Sequence, residues 1–238
     1  MIPANPVRHA RAGIAVVLRA LLLALLHGAL LSGCARAPAP QLYLLDLPLA
    51  AELAGAQTGP VVGVEPLALP RYLDRPQIVT RDGANRLAAS ENHMWAEPVA
   101  LGAARVVNNS LATALGSNRV YRLPARHPIA LDWRVEIDID RFDGSLDAAV
   151  TLEARWSLFE GGARTPAVTR LSHIDITLDN PRHAALVAAQ TRALERLGTE
   201  IAAAIDAARQ VTSEQAMTRH LAPTLSDVGV TNLRHSPP

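Results

Sequence analysis

Asp132, Glu136, Asp138 and Asp140 alternate with apolar residues, which places four carboxylates on one side of an extended segment. Calcium takes several carboxylate oxygens, so the run raises the question of a cation site. Same-face positions on a strand are spread along it and do not converge on a point. Arg134, Thr151, Glu153 and Arg155 are expected beside them, and a solvated or cross-strand-paired face is predicted. His173 and Asp175 stand two apart and could share a metal, yet the sequence offers no evident third ligand. His93, near Trp95 and Glu97, reads as a loop or packing residue. There is no Gly-x-Ser-x-Gly elbow, His-Glu-x-x-His pair, phosphate-binding glycine loop or cysteine pair. No catalytic residue, metal ligand or dissociable cofactor is assigned, and an enzyme is not expected.

Recognition chemistry is better represented. The stretch from Pro70 to Arg81 combines Tyr72, Leu73 and Ile78 with Arg71, Arg75 and Arg81. It reads either as an edge strand whose Tyr72 and Leu73 plug the core or as a contact surface. Tyr and Arg are the residue types enriched where interfaces concentrate binding energy. Trp95 Ala96 Glu97 Pro98 has the same two readings, with core packing preferred for Trp95. The candidate partner-binding set is Tyr72, Leu73, Asp74, Arg75, Arg81, Trp95 and Glu97.

Cys34 is the only cysteine in 238 residues. Ahead of it lie Arg8, Arg11 and Arg19, a Leu and Ala run from residue 20 to 31, and the small residues Ser32 and Gly33. This is the layout of an export signal. The apolar run is short for a span of about 20 residues, so a retained transmembrane anchor is the weaker alternative. Leu31 Ser32 Gly33 Cys34 resembles the lipobox of bacterial lipoproteins. That resemblance implies a diacylglyceryl group and an N-acyl chain on Cys34, with palmitate-type chains holding the protein to membrane lipid. Each buried CH₂ contributes about 0.8 kcal/mol, so two or three chains make a lasting tether. Ala35, where an aspartate would favour retention, implies sorting to the periplasmic face of the outer membrane. The alternative, a buried core cysteine that follows a signal, would leave a lone thiol in an oxidising compartment.

Removing the three leader arginines leaves 20 arginines against 22 acidic residues, a balance of −2, and the chain contains no lysine. A slightly acidic mature chain argues against nucleic-acid binding, which depends on clustered cationic charge. With 49% hydrophobic residues there is apolar material for one core.

The elements that must position these residues follow from periodicity. Residues 1–33 are expected as signal peptide, 34–40 as a Pro and Ala rich tether, 41–208 as one folded domain and 209–238 as a disordered tail. Gln41–Leu47 and Pro60–Val64 read as short strands around a loop. Leu101, Ala104, Val107, Leu111 and Leu115 mark a helix between Pro98 and Gly116. Arg119–Leu123 is a short strand. The alternation from Leu131 to Ile139 and again from Ala148 to Leu158 predicts an antiparallel hairpin turning at Asp143–Gly144, with Val168–Leu178 extending the meander. Asn180–Pro181 starts a long closing helix. The predicted fold class is α/β, a single domain with a mixed, largely antiparallel sheet packed by two main helices. The unit from Val61 through the first helix to Val120 fits a crossover between parallel strands.

The cysteine motif, the Tyr43 Leu44 Leu45 start, Val62 to Pro66, the run Leu69 Pro70 x Tyr72 Leu73 Asp74 Arg75 Pro76 Gln77 Ile78 Val79 Thr80 Arg81 and Trp95 Ala96 Glu97 Pro98 before a helix together resemble the PqiC family of ABC-type transport auxiliary lipoproteins. The resemblance runs to about Ala208. It implies a fold similar to the TolB amino-terminal domain, self-assembly into a ring, and a non-enzymatic role beside an MCE-domain protein of the PqiB type in intermembrane lipid transport that supports membrane integrity. A periplasmic lipid-binding shuttle is the alternative function.

Overall fold

The computed structural model describes residues 19–23, 39–53 and 59–221. Residues 19–23 are helical and belong to a unit that ends at Ala39; the main folded unit starts at Pro40. Cys34, most of the signal and tether, and residues 222–238 lie outside the described residues. Among the described residues no helix is long and apolar enough to cross a membrane.

The chain forms strands β1 (Gln41–Tyr43), β2 (Val62–Val64), β3 (Gln77–Arg81) and β4 (Leu87–Trp95), then helix α1 (Val99–Leu115). After it come β5 (Val120–Arg122), β6 (Trp133–Gly144), β7 (Ala149–Glu160), β8 (Val168–Thr177) and helix α2 (His183–Leu221). Two mixed sheets result, one ordered β1-β4-β3 and one ordered β5-β2-β6-β7-β8. The α/β class with helices packed on mixed sheet is as expected. The small sheet is a finding: β4, with Ser90, Glu91, Asn92 and His93 at its centre, lacks the apolar alternation that marks a half-buried strand.

The large sheet is built on the predicted meander, β6 antiparallel to β7 and β7 to β8. Trp133, Val135, Ile137 and Ile139 point inward and are buried, while the intervening acidic residues are exposed. A register irregularity between Ile139 and Arg141 inserts the extra residue of a bulge and changes which parity faces the core. Phe142, Asp143 and Gly144 are therefore buried members of β6, and the turn predicted at Asp143–Gly144 falls after them instead. β2 lies between β5 and β6 and is parallel to both, with Val62 opposite Val120 and Trp133.

α1 runs from Pro98 to Gly116, whose φ of 58° closes the helix in the left-handed conformation that glycine tolerates best. Its buried stripe is Val99, Ala103, Val106, Val107 and Leu111. Leu101, predicted in that stripe, is instead 52% exposed. α2 packs on α1 at Gly198, where a Cβ would come within 2.7 Å of Ser110 Oγ; Ser110 Oγ donates to Glu195 O at 2.6 Å. Leu186, Leu194, Leu197, Ile201 and Ile205 supply the buried face of α2. The helix does not stop near Arg209, as the sequence suggested, but continues to Leu221. The described side chains from Arg209 to Ser213 are all exposed, so no apolar stripe announces that part of the helix.

Candidate functional site

Leu73 and Trp95 share a pocket. Arg71–Leu73 forms a single 3-10 turn after Pro70, with Leu73 N donating to Pro70 O at 3.0 Å, and drops the Leu73 side chain into the core at 3% exposure. Trp95 closes β4; its backbone N donates to Pro76 O at 2.7 Å, which ties the end of the strand to the end of the loop. Between this loop and the first turn of α1 lies a cavity of about 620 Å³ with Leu69, Leu73, Trp95 and Val99 among its apolar walls. Arg71, Asp74, Arg75 and Glu97 also line it. Its volume falls in the range of small-ligand and side-chain pockets.

The charges on this rim differ in how they are committed. Arg105 Nη2 donates to Glu97 Oε1 at 2.6 Å and to Leu45 O at 2.8 Å, and Arg105 Nε lies 3.7 Å from Asp46 Oδ1. Glu97 is thus already neutralised within the chain. Arg71, Asp74 and Arg75 are exposed, and their side chains have no hydrogen bond or ion pair among the described residues. An incoming group meets an apolar floor and two unspent guanidinium groups against one free carboxylate.

Tyr72 and Arg81 are directed elsewhere. Arg81 Nε and Nη2 donate to the two carboxylate oxygens of Asp143 at 2.6 and 2.8 Å, and Tyr72 Oη donates to Asp143 Oδ2 at 2.7 Å. Arg141 Nε adds a longer contact to Oδ1 at 3.3 Å. The Asp143 side chain is 0% exposed. Burial alone would raise its pKa. The hydrogen bonds from Arg81 and Tyr72 and the charges of Arg81 and Arg141 outweigh burial and hold the carboxyl below the usual range. Tyr72 is pushed up to about 12, first by burial and then by its bond to this carboxylate and by the carboxylate's charge. The cluster joins the 3-10 turn, β3 and β6. Of the seven predicted residues, the structure therefore brings Leu73, Asp74, Arg75, Trp95 and Glu97 together and sets Tyr72 and Arg81 apart. Asp143 was missed because it resembled a turn residue.

The other polar groups are internally arranged. His173 Nε2 lies 3.0 Å from Asp175 Oδ2 and its Nδ1 lies 3.4 Å from Glu153 Oε1, all on an exposed sheet face. Among the described residues no group of three acidic, histidine or cysteine side chains could hold a metal ion. Asp138 faces Arg155 across β6 and β7. His93 Nδ1 is 2.8 Å from Tyr43 Oη, and its ring stacks on His183 with centroids 3.7 Å apart. Burial, followed by the charge of His93, lowers the His183 pKa below its ordinary value. A wider hollow of about 980 Å³ lies beside α2 between Asp206 and Ser213. Its Asp132 accepts from Val61 N at 2.7 Å and its Asp206 pairs with Arg209 at 3.1 Å, so these charges are already answered.

The two-sheet α/β domain thus carries an apolar pocket with an incomplete charge set on its rim. Its fold recurs in solved structures. A Xanthomonas campestris protein of the DUF330 family has a TM-score of 0.58 at 21% identity, covering 73% of this chain and 99% of that one. An uncharacterized protein also has a TM-score of 0.58, at 20% identity, covering 71% of this chain and 99% of that one. No curated protein matches the chain in sequence. The chain belongs to the ABC-type transport auxiliary lipoprotein component family, whose model matches residues 43–202. The match takes in both sheets except the first two residues of β1, together with α1, the Trp95 pocket and the first part of α2.

Proposed function

We propose that this protein is a periplasm-facing adaptor, fastened to the outer membrane by acyl chains on Cys34, that docks the MCE-domain protein of an intermembrane lipid transport system. Family membership supports an auxiliary role in transport. The observation that carries docking is the pocket over Leu73 and Trp95, with Arg71 and Arg75 unpaired on its rim. Interfaces place their strongest contacts where an apolar anchor fills a desolvated pocket and charged groups ring it.

Capture of the MCE-domain partner by the full-length lipoprotein tests the reading. Arg71→Glu with Arg75→Glu should weaken capture about tenfold, since rim charges act on partner selection and encounter. Capture equal to that of the unaltered protein would remove this pocket from the interface. The anchor is tested separately: intact mass should show acyl chains on the protein, absent after Cys34→Ser, and fractionation should place the unaltered protein in the outer membrane.

A further inference from the structure

We propose that the Trp95 pocket is one half of a longer groove, and that this groove takes an acidic polypeptide segment carrying apolar side chains. The proposal rests on the reading that a partner docks at that pocket. A second hollow of about 910 Å³ lies between α1 and the chain that runs from β5 to Ile129. Ala100 lines both cavities, and Pro66 and Leu67 of the second lead directly into Leu69 and Pro70 of the first. The two hollows therefore adjoin at the beginning of α1.

The walls of the second hollow include Leu67, Leu101, Ala104, Val120, Leu123 and Ile129. Leu101 is 52% exposed and Tyr121, which also lines it, is 37% exposed. Large apolar groups grouped on one concave surface mark an interaction site more strongly than the same groups scattered singly. β5 beside them is an edge strand of the large sheet.

Charge defines the occupant. Arg122 and Arg126 line the second hollow, are exposed, and have no side-chain partner among the described residues. Its one carboxylate, Glu65, lies 3.7 Å from Arg134. Along the whole groove, the charges without an internal partner are Arg71, Arg75, Arg122 and Arg126 against Asp74. Unpaired arginines also occur in the main folded unit at Arg155, Arg164 and Arg182, none of which lines either hollow. The informative feature is therefore the coincidence of four with one apolar groove. Complementary charge selects an anionic partner. The edge strand β5 favours a polypeptide as that partner, since its outer backbone groups can pair with another chain, as a phosphate group or an acyl chain cannot.

The test is selection of a phage-displayed library of random peptides, long enough to span both hollows, on the full-length lipoprotein in detergent micelles. Expected are peptides in which Asp or Glu accompanies Leu, Phe or Trp. Their affinity should fall about tenfold with Arg71→Glu plus Arg75→Glu, and again with Arg122→Glu plus Arg126→Glu. Failure to enrich any peptide, enrichment without acidic residues, or sensitivity to the first pair alone would overturn the proposal. Melting temperature raised by phosphatidylglycerol through the same arginines, with no peptide selected, would also overturn it and assign the groove to a lipid headgroup. Loss of MCE-partner capture with the first pair and none with the second would sink the long groove while the docking reading stands. Acidic peptides selected as described, with no capture of the MCE partner by the unaltered protein, would sink the docking reading and leave the groove.

Discussion

Arg75 and Arg81 belong to one short stretch of chain and do opposite things. Arg81 reaches inward, to a carboxylate that has no contact with solvent, and is met there by Tyr72 and Arg141. Arg75 stands on the lip of an apolar pocket and meets nothing among the described residues. The first arrangement fixes the 3-10 turn and β3 to β6, and its charges are consumed in doing so. The second leaves charge available to another molecule. Identical side chains a few positions apart are thus distinguished only by what faces them.

The comparison is broken most severely at Asp143. Asp143→Ala leaves Arg81 and Tyr72 directed at an empty position and should cost about 3 kcal/mol in urea unfolding, while the surviving folded protein still captures partner. Equal loss of stability and capture would mean the two regions are not separate. Tyr72→Phe removes one hydrogen bond to a charged acceptor and should cost about 1.5 kcal/mol. The same cluster responds to pH. Because the Asp143 carboxyl is held below its ordinary value of 3.8, it contributes stability that is complete above that value and is lost as pH falls through the depressed one. Asp143→Asn should flatten the acid limb of the stability profile. A weaker dependence comes from His183, whose pKa is lowered, so that the unfolded chain takes up a proton first as pH drops below 6.5. Stability then declines with acidity, and His183→Gln should abolish that decline. Arg75→Glu sits at the far end: no measurable change in the unfolding midpoint is expected, with the effect confined to partner capture.

Much of the framework could be read from residue order. Period-two alternation gave β7 almost to its ends and β6 as far as Ile139, short of the bulge and the last residues of the strand, and Pro98 with Gly116 bracketed α1. The small sheet was less legible because β1 has only three residues and β4 is polar and largely exposed, so neither carries a burial pattern. The pocket was half legible. Leu73 and Trp95 declare themselves as apolar groups in polar company, but the role of each arginine depends on partners far along the chain. Asp143 lies 62 positions from Arg81, and no local pattern reveals that pairing. The exposed Leu101 was concealed in the same way, since its spacing fits the helix stripe and only tertiary packing turns it outward.

The position of β2 has a consequence for how the molecule is assembled. Val62 and Val64 are fully enclosed, yet their hydrogen-bonding neighbours are β5 and β6, which come much later in the chain. Contacts between distant segments delay folding because the intervening loop must be closed first. A nascent chain emerging amino terminus first holds β2 without a partner until Val120 to Arg122 emerge and without its second until Trp133 to Val135 follow, so the finished sheet must condense late. Chains truncated after Leu131 should remain protease-sensitive throughout, whereas truncation after Arg209 should preserve a cooperative core; a resistant, cooperatively melting fragment ending at Leu131 would rule out this order of events.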